Sequence, residues 1–145
     1  MAEINENLVA RVSVVINAAP AKVWEALTNP AMIKQYLFGT EAVSDWKVGS
    51  PIIYRGVWEG KAYEDKGTIL EVDPEKLLVM TYWSGFSGQA DVPENYQKIS
   101  YKLAAQGDGT ELTITQENCA DEEKRQHSEK NWGMVLGLMK KLVEE

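Results

Sequence analysis

Cysteine and histidine are nearly absent: the 145 residues hold one of each, Cys119 and His127. A lone cysteine excludes an intrachain disulfide and any thiolate-based zinc cluster. Nothing beside it in ENCADE lowers its pKa, so a bystander thiol is expected. The lone histidine stands in EEKRQHSEK, a run that reads as a solvated helix face rather than the setting of a general base. Basic charge is also scarce, with 15 Lys and Arg against 22 Asp and Glu and a net charge of -7, which argues against affinity for the phosphates of nucleic acid. No stretch approaches the roughly 18 apolar residues that a membrane span requires. MAEINENLVARVSVVI has no basic n-region leading into an apolar core, so no membrane insertion is expected and the reading is cytoplasmic. Glycine-rich phosphate cradles are missing too. GFSG at 85 to 88 falls short of a nucleophile elbow and has no histidine near Ser87 to activate it.

What the chain does have is ordinary globular composition, 44% hydrophobic and 26% charged, and a length that suits one domain over residues 1–145. LVARVSVVI, residues 8 to 16, alternates Leu8, Ala10, Val12, Val14 and Ile16 against Arg11 and Ser13, as a half-buried strand does. NAAPAKVWEALTNP then changes period: Pro20 suits a first helical position, Val23, Trp24 and Leu27 recur at helical spacing, and Thr28 and Asn29 offer an N-cap for a second short helix from Pro30. VGSPIIYRGVW, KAYEDKGTILEVD, KLLVMTYW, ENYQKISYKLAAQ and GTELTITQE follow as strands, parted by turn residues at Glu59-Gly60, Asp73-Pro74 and Gly107-Asp108-Gly109. Short connections favour antiparallel hairpins. Alternation puts Leu78, Met80, Tyr82, Ile99, Tyr101, Leu103, Leu112 and Ile114 on an oily face, with Lys98, Ser100, Lys102, Thr113 and Thr115 opposite. The chain ends in a helix from about 121 to 144, opened by Asp121 as N-cap and closed by Lys140 and Lys141. Its apolar stripe is Trp132, Val135, Leu136, Met139, Leu142 and Val143, and at 1.5 Å per residue it reaches on the order of 35 Å.

The phrases INAAPAKVWEALTNPAMIKQYL, GTILEVDPEKLLVMTYW, ENYQKISYKL, DGTELTITQEN and NWGMVLGLMKKLVEE, in this order and from Val9 to Glu144, resemble the activator of heat-shock protein 90 ATPase homologue family within the START-related SRPBCC superfamily. The resemblance implies an α+β helix-grip fold, in which a curved antiparallel sheet wraps around the long C-terminal helix, two short helices after strand 1 close one end, and a cavity lies between helix and sheet. Gly133 and Gly137 stand out in that last helix, each costing roughly 1 kcal/mol relative to alanine in a helix interior. Two explanations are open: close approach of the helix backbone to the sheet or to a partner, or enlargement of the internal hollow.

The candidate ligand-binding residues are those that would line the cavity: Tyr54, Trp58, Met80, Tyr82, Tyr101, Trp132 and Met139. Core packing is the plainer reading of each. Tyr54 and Tyr82 stand out because a buried phenol requires a hydrogen-bond partner. The pocket requires Trp132 and Met139 to face Met80 and Tyr101 across the interior.

Three functions follow. A hydrophobic or amphipathic small molecule held between helix and sheet without covalent chemistry is the first expectation, with no catalytic residue, no metal and no cofactor. A protein partner, a chaperone by the family name, is the second, weakened because the relatives behind that name carry a further domain for which this chain has no room. An enzyme of the wider superfamily is the third. The adjoining Glu64 and Asp65 point to opposite faces of a strand and cannot form a carboxylate pair, so its first sign would be an inward-facing Glu or Asp beside Tyr54 or Tyr82. A monomer or a homodimer through an edge strand or the glycine face of the last helix is expected.

Overall fold

The computed structural model describes residues 8–37, 39–84, 89–119 and 121–144, without the side chain of Trp58. The elements run β1 (Ala10–Ile16), α1 (Pro20–Thr28), α2 (Pro30–Tyr36), β2 (Glu41–Val43), β3 (Pro51–Trp58), β4 (Lys61–Asp73), β5 (Leu77–Ser84), a 3-10 turn (Pro93–Asn95), β6 (Gln97–Gln106), β7 (Gly109–Glu117) and α3 (Glu122–Glu144). This is the α+β arrangement expected from the sequence. Among the described residues no helix is long and apolar enough to cross a membrane.

Local chemistry sets the boundaries. Asn29 Oδ1 accepts the Ala31 N–H at 2.9 Å and Asp121 Oδ1 accepts the Lys124 N–H at 2.8 Å, so both N-caps act as the sequence implies. Thr28 instead donates its hydroxyl back to Trp24 O. Glu122 sits in the first turn of α3, where the Arg125 guanidinium and the Gln126 amide hold its carboxyl down to about 2. Glu59 and Gly60, at φ 49 and 79, form the two-residue turn between β3 and β4 that pairs Trp58 with Lys61.

The seven strands form one curved antiparallel sheet in the order β1-β7-β6-β5-β4-β3-β2. The chain's first strand lies beside its last, Ala10 opposite Gln116 and Ile16 opposite Thr110. A bulge between Ile69 and Glu71 interrupts the pairing of β4 with β5, a device that bends a strand and increases its twist. Next to it Thr81 Oγ1 accepts the Thr68 N–H at 2.8 Å.

The inner face of this sheet is covered by α3. Val135, Leu136, Met139 and Val143 are buried against Ile16, Leu78, Met80, Ile99, Leu112 and Ile114, while Val23 and Leu27 of α1 and Ile33 of α2 complete the cluster. Each such side chain contributes about 1.5–3 kcal/mol when fully buried. Tyr36 donates its hydroxyl to Ala26 O at 2.8 Å, tying α2 to α1.

The helix also reaches the outer edge of β1. Glu129 accepts the Arg11 N–H at 3.1 Å, Lys140 donates to Val15 O at 2.8 Å, and Glu144 accepts the Asn17 N–H at 2.8 Å. Three charged side chains thus take up backbone groups that an edge strand would otherwise offer to another chain.

For Gly133 and Gly137 the structure removes the readings within the chain and leaves close approach to a partner. Both are exposed, and a Cβ built on either would meet nothing within 4 Å. They neither bring the helix onto the sheet nor enlarge an inner hollow. Gly67 is a glycine that packing requires, since a Cβ there would lie 1.7 Å from Thr81 O, and Gly109 is another, with Ile16 O at 2.6 Å. Urea denaturation should therefore show Gly133→Ala and Gly137→Ala each stabilising the protein by about 0.5–1 kcal/mol. Gly67→Ala should cost more than about 2 kcal/mol.

Candidate functional site

Strand alternation on β3, β4, β5 and β6 brings a band of phenols to the inner face. Tyr54 and Tyr101 are hydrogen-bonded to each other through their hydroxyls, and Tyr54 Oη also lies 3.7 Å from Met80 Sδ. Trp132 of α3 meets Tyr101 edge-on, with ring centroids 6.0 Å apart and planes at 87°, an arrangement that suits the aromatic quadrupoles. Its indole N–H donates to Gln116 Oε1 at 2.7 Å, and Gln116 Nε2 passes the chain on to Gln97 Oε1 at 2.7 Å. Gln97 pairs across the ladder with Tyr82. The inner face therefore grades from a fully apolar centre to a polar end near the start of α3.

Asp65 stands at that polar end. Tyr82 donates its hydroxyl to Asp65 Oδ2 at 2.7 Å, while Asp65 Oδ1 is buried with no hydrogen-bond partner. Asp65 lies directly opposite Tyr54 in the β3/β4 register. This is the inward-facing carboxylate beside Tyr54 and Tyr82 that the sequence reading named as the sign of an enzyme. The signal was available in KAYEDKGTIL: Tyr63, Asp65, Gly67 and Ile69 share a face, and the burial of Gly67 and Ile69 makes it the inner one. Testing Asp65 only as half of a pair with Glu64 hides this.

Of the residues chosen from sequence, Met80, Tyr101 and Met139 are 1%, 7% and 1% exposed and belong to the central core. Tyr54, Tyr82 and Trp132 are half-buried around it. Trp132 and Met139 thus face the interior with Met80 and Tyr101. The Trp58 side chain and the GFSG segment with Ser87 lie outside the described residues. Cys119 is buried, which pushes its thiol up, and donates weakly to Gln116 O. His127 is exposed on α3. Among the described residues no group of three or more His, Cys, Asp or Glu side chains is placed to hold a metal ion.

Two hollows lie away from Tyr54, Tyr82 and Tyr101. An open trough of about 1010 Å³ runs over the outer face of the sheet, past Arg11, Lys76, Ser100, Lys102, Glu111 and Thr113. Its floor mixes both signs of charge with hydroxyls and has none of the converging aromatic side chains of the inner face. A crevice of about 140 Å³ separates Gln35 and Tyr36 from Leu138, Lys141 and Leu142.

Burial raises the phenols of Tyr36, Tyr54, Tyr82 and Tyr101. The Tyr101 phenol adds to the effect at Tyr36 and Tyr54, and the Asp65 carboxylate adds to it at Tyr82. An unfolded chain loses such protons near pH 10, so the stability these neutral phenols contribute is complete below pH about 10 and falls as pH rises through the folded values. Titration at 295 nm should show their ionisation arriving together with loss of circular dichroism. Ionisation of all six tyrosines near pH 10 in a still-folded protein would contradict the described burial.

Comparison with known proteins places this geometry among relatives. None of the curated proteins matches the chain. The solution structure of ChR145 from Cytophaga hutchinsonii is 48% identical, with a TM-score of 0.84 over 99% of this chain and 97% of that one. The Aha1 dimer from Colwellia psychrerythraea, 20% identical, has a TM-score of 0.74 over 94% of this chain and 96% of that one. Protein CV1439 from Chromobacterium violaceum, 21% identical, reaches 0.76 over 96% and 99%. These last two share the fold alone. The sequence resemblance is thus borne out: the model of the family described as Activator of Hsp90 ATPase homolog 1-like protein matches residues 17–144, and the chain belongs to that family.

Proposed function

We propose that this domain binds a small amphipathic molecule at the polar end of the inner face, between the sheet and α3, without covalent chemistry. One observation carries the reading. A carboxylate oxygen, Asp65 Oδ1, is buried without a partner where half-buried Tyr54, Tyr82 and Trp132 border an apolar core. An unsatisfied buried acceptor costs about 1–3 kcal/mol, and a ligand that satisfies it recovers that cost. Small-molecule sites commonly combine mostly apolar lining with a few placed polar groups, which is the composition found here.

The same carboxylate is what an enzyme would use as a base. Binding is the better reading because general acid-base or nucleophilic catalysis needs a second group in a defined role. His127 is exposed on α3 and Cys119 is a raised, buried thiol. Contact with a chaperone ATPase is the second reading, supported by the family's description. An unchanged chaperone ATPase rate on adding the protein would remove it.

The test is a nitrogen-15 and aromatic carbon-13 NMR titration with a neutral amphipathic probe, octan-1-ol. Shifts should cluster on Tyr54, Tyr82, Tyr101 and Trp132. Shifts confined to the outer trough around Arg11, Lys102 and Thr113, or none at all, would overturn the assignment.

A further inference from the structure

The geometry points to a protonated amine as the ligand's polar group, taken up by Asp65 Oδ1 beside the Tyr82 hydroxyl. This inference rests on the binding reading above and specifies its ligand class.

Three observations carry it. First, the two carboxylate oxygens are unequal: Oδ2 accepts the Tyr82 proton at 2.7 Å, and Oδ1 is buried with nothing to accept from. A bound group must therefore be a donor. A ligand carboxylate or phosphate would place like charges together.

Second, Asp65 enters no ion pair among the described residues. Its chain neighbour Lys66 points to the opposite face, where it pairs with Asp91 and lies 5.7 Å from the centroid of the Trp83 ring. A carboxylate with a buried, unpaired oxygen calls for a cation, and none of the described residues supplies one here.

Third, the position is flanked by phenols, Tyr54 directly across the strand pair and Tyr82 in contact. Aromatic faces attract a cation more strongly once it is desolvated. A hydroxyl would satisfy Oδ1 but would gain neither the charge pairing nor the ring contacts. A quaternary ammonium would gain the ring contacts but has no N–H to give Oδ1. The ligand class that meets all three conditions is a lipophilic primary or secondary amine.

Three probes of one chain length separate these contributions on the unmodified protein: octylammonium, octan-1-ol and octyltrimethylammonium. The last also controls for general attraction of cations to a chain of net charge -7. Affinities read from the NMR titration at pH 7 should place octylammonium at least tenfold tighter than either of the others. Asp65→Asn should bring octylammonium to within about twofold of octan-1-ol while octan-1-ol binding persists. Equal affinities in the unmodified protein, or an octylammonium preference that survives Asp65→Asn, would overturn the amine assignment and leave the binding reading standing. Should Asp65→Asn not fold, the three-probe ranking on the unmodified chain decides the matter alone. Binding of none of the three would overturn both.

Discussion

The whole structure depends on burying one helical stripe against one face of a sheet. In α3 the stripe repeats with a period near 3.6 residues, and on each strand the matching face repeats every second residue. Only when Leu136, Met139 and Val143 lie over Leu78, Met80, Ile99, Leu112 and Ile114 do both patterns leave water together. With each large side chain contributing on the order of 1.5–3 kcal/mol, this contact outweighs the capping bonds and surface ion pairs. The surface pairs sit on exposed groups such as Arg55 and Glu41 and are worth little. The same contact brings Glu129, Lys140 and Glu144 to the edge of β1, so closing the core also closes an edge of the sheet.

That arrangement leaves the inner face chemically uneven, and the unevenness gives the site its character. At the centre, apolar side chains meet apolar side chains. Toward the start of α3 the burial is shared with Tyr54, Tyr82, Gln97, Gln116 and Trp132, most of whose polar atoms find one another. Asp65 Oδ1 does not. Family membership supplies the fold around this atom, and a fold hosts many functions. The atom itself is what the proposed site rests on.

Much of this was legible in the order of residues. Alternation assigned the faces of β5, β6 and β7 correctly, and Asn29, Asp121, Pro20 and Glu59-Gly60 mark element ends by chemistry local to a few residues. The short β2 at Glu41–Val43 escaped notice because three residues carry too little alternation to show a period. The pairing of β1 with β7 was equally silent, since no local signal links residues at opposite ends of a chain. Gly133 and Gly137 were open to readings in which the sheet, an inner hollow or a partner mattered, and within this chain they face neither sheet nor hollow.

By itself the sequence determined the element order, the faces of the strands and helices, and the family, because each rests on residue types repeated at short, regular spacing. Tertiary structure alone decided that Asp65 turns toward Tyr82 with one oxygen unpaired, that Gly67 must lack a side chain beneath Thr81 O, and that charged residues of α3 cover the edge of β1. Each of these is a meeting of atoms from strands or helices distant in the chain. Its energy depends on distances and burial that arise only once the sheet has curved around the helix.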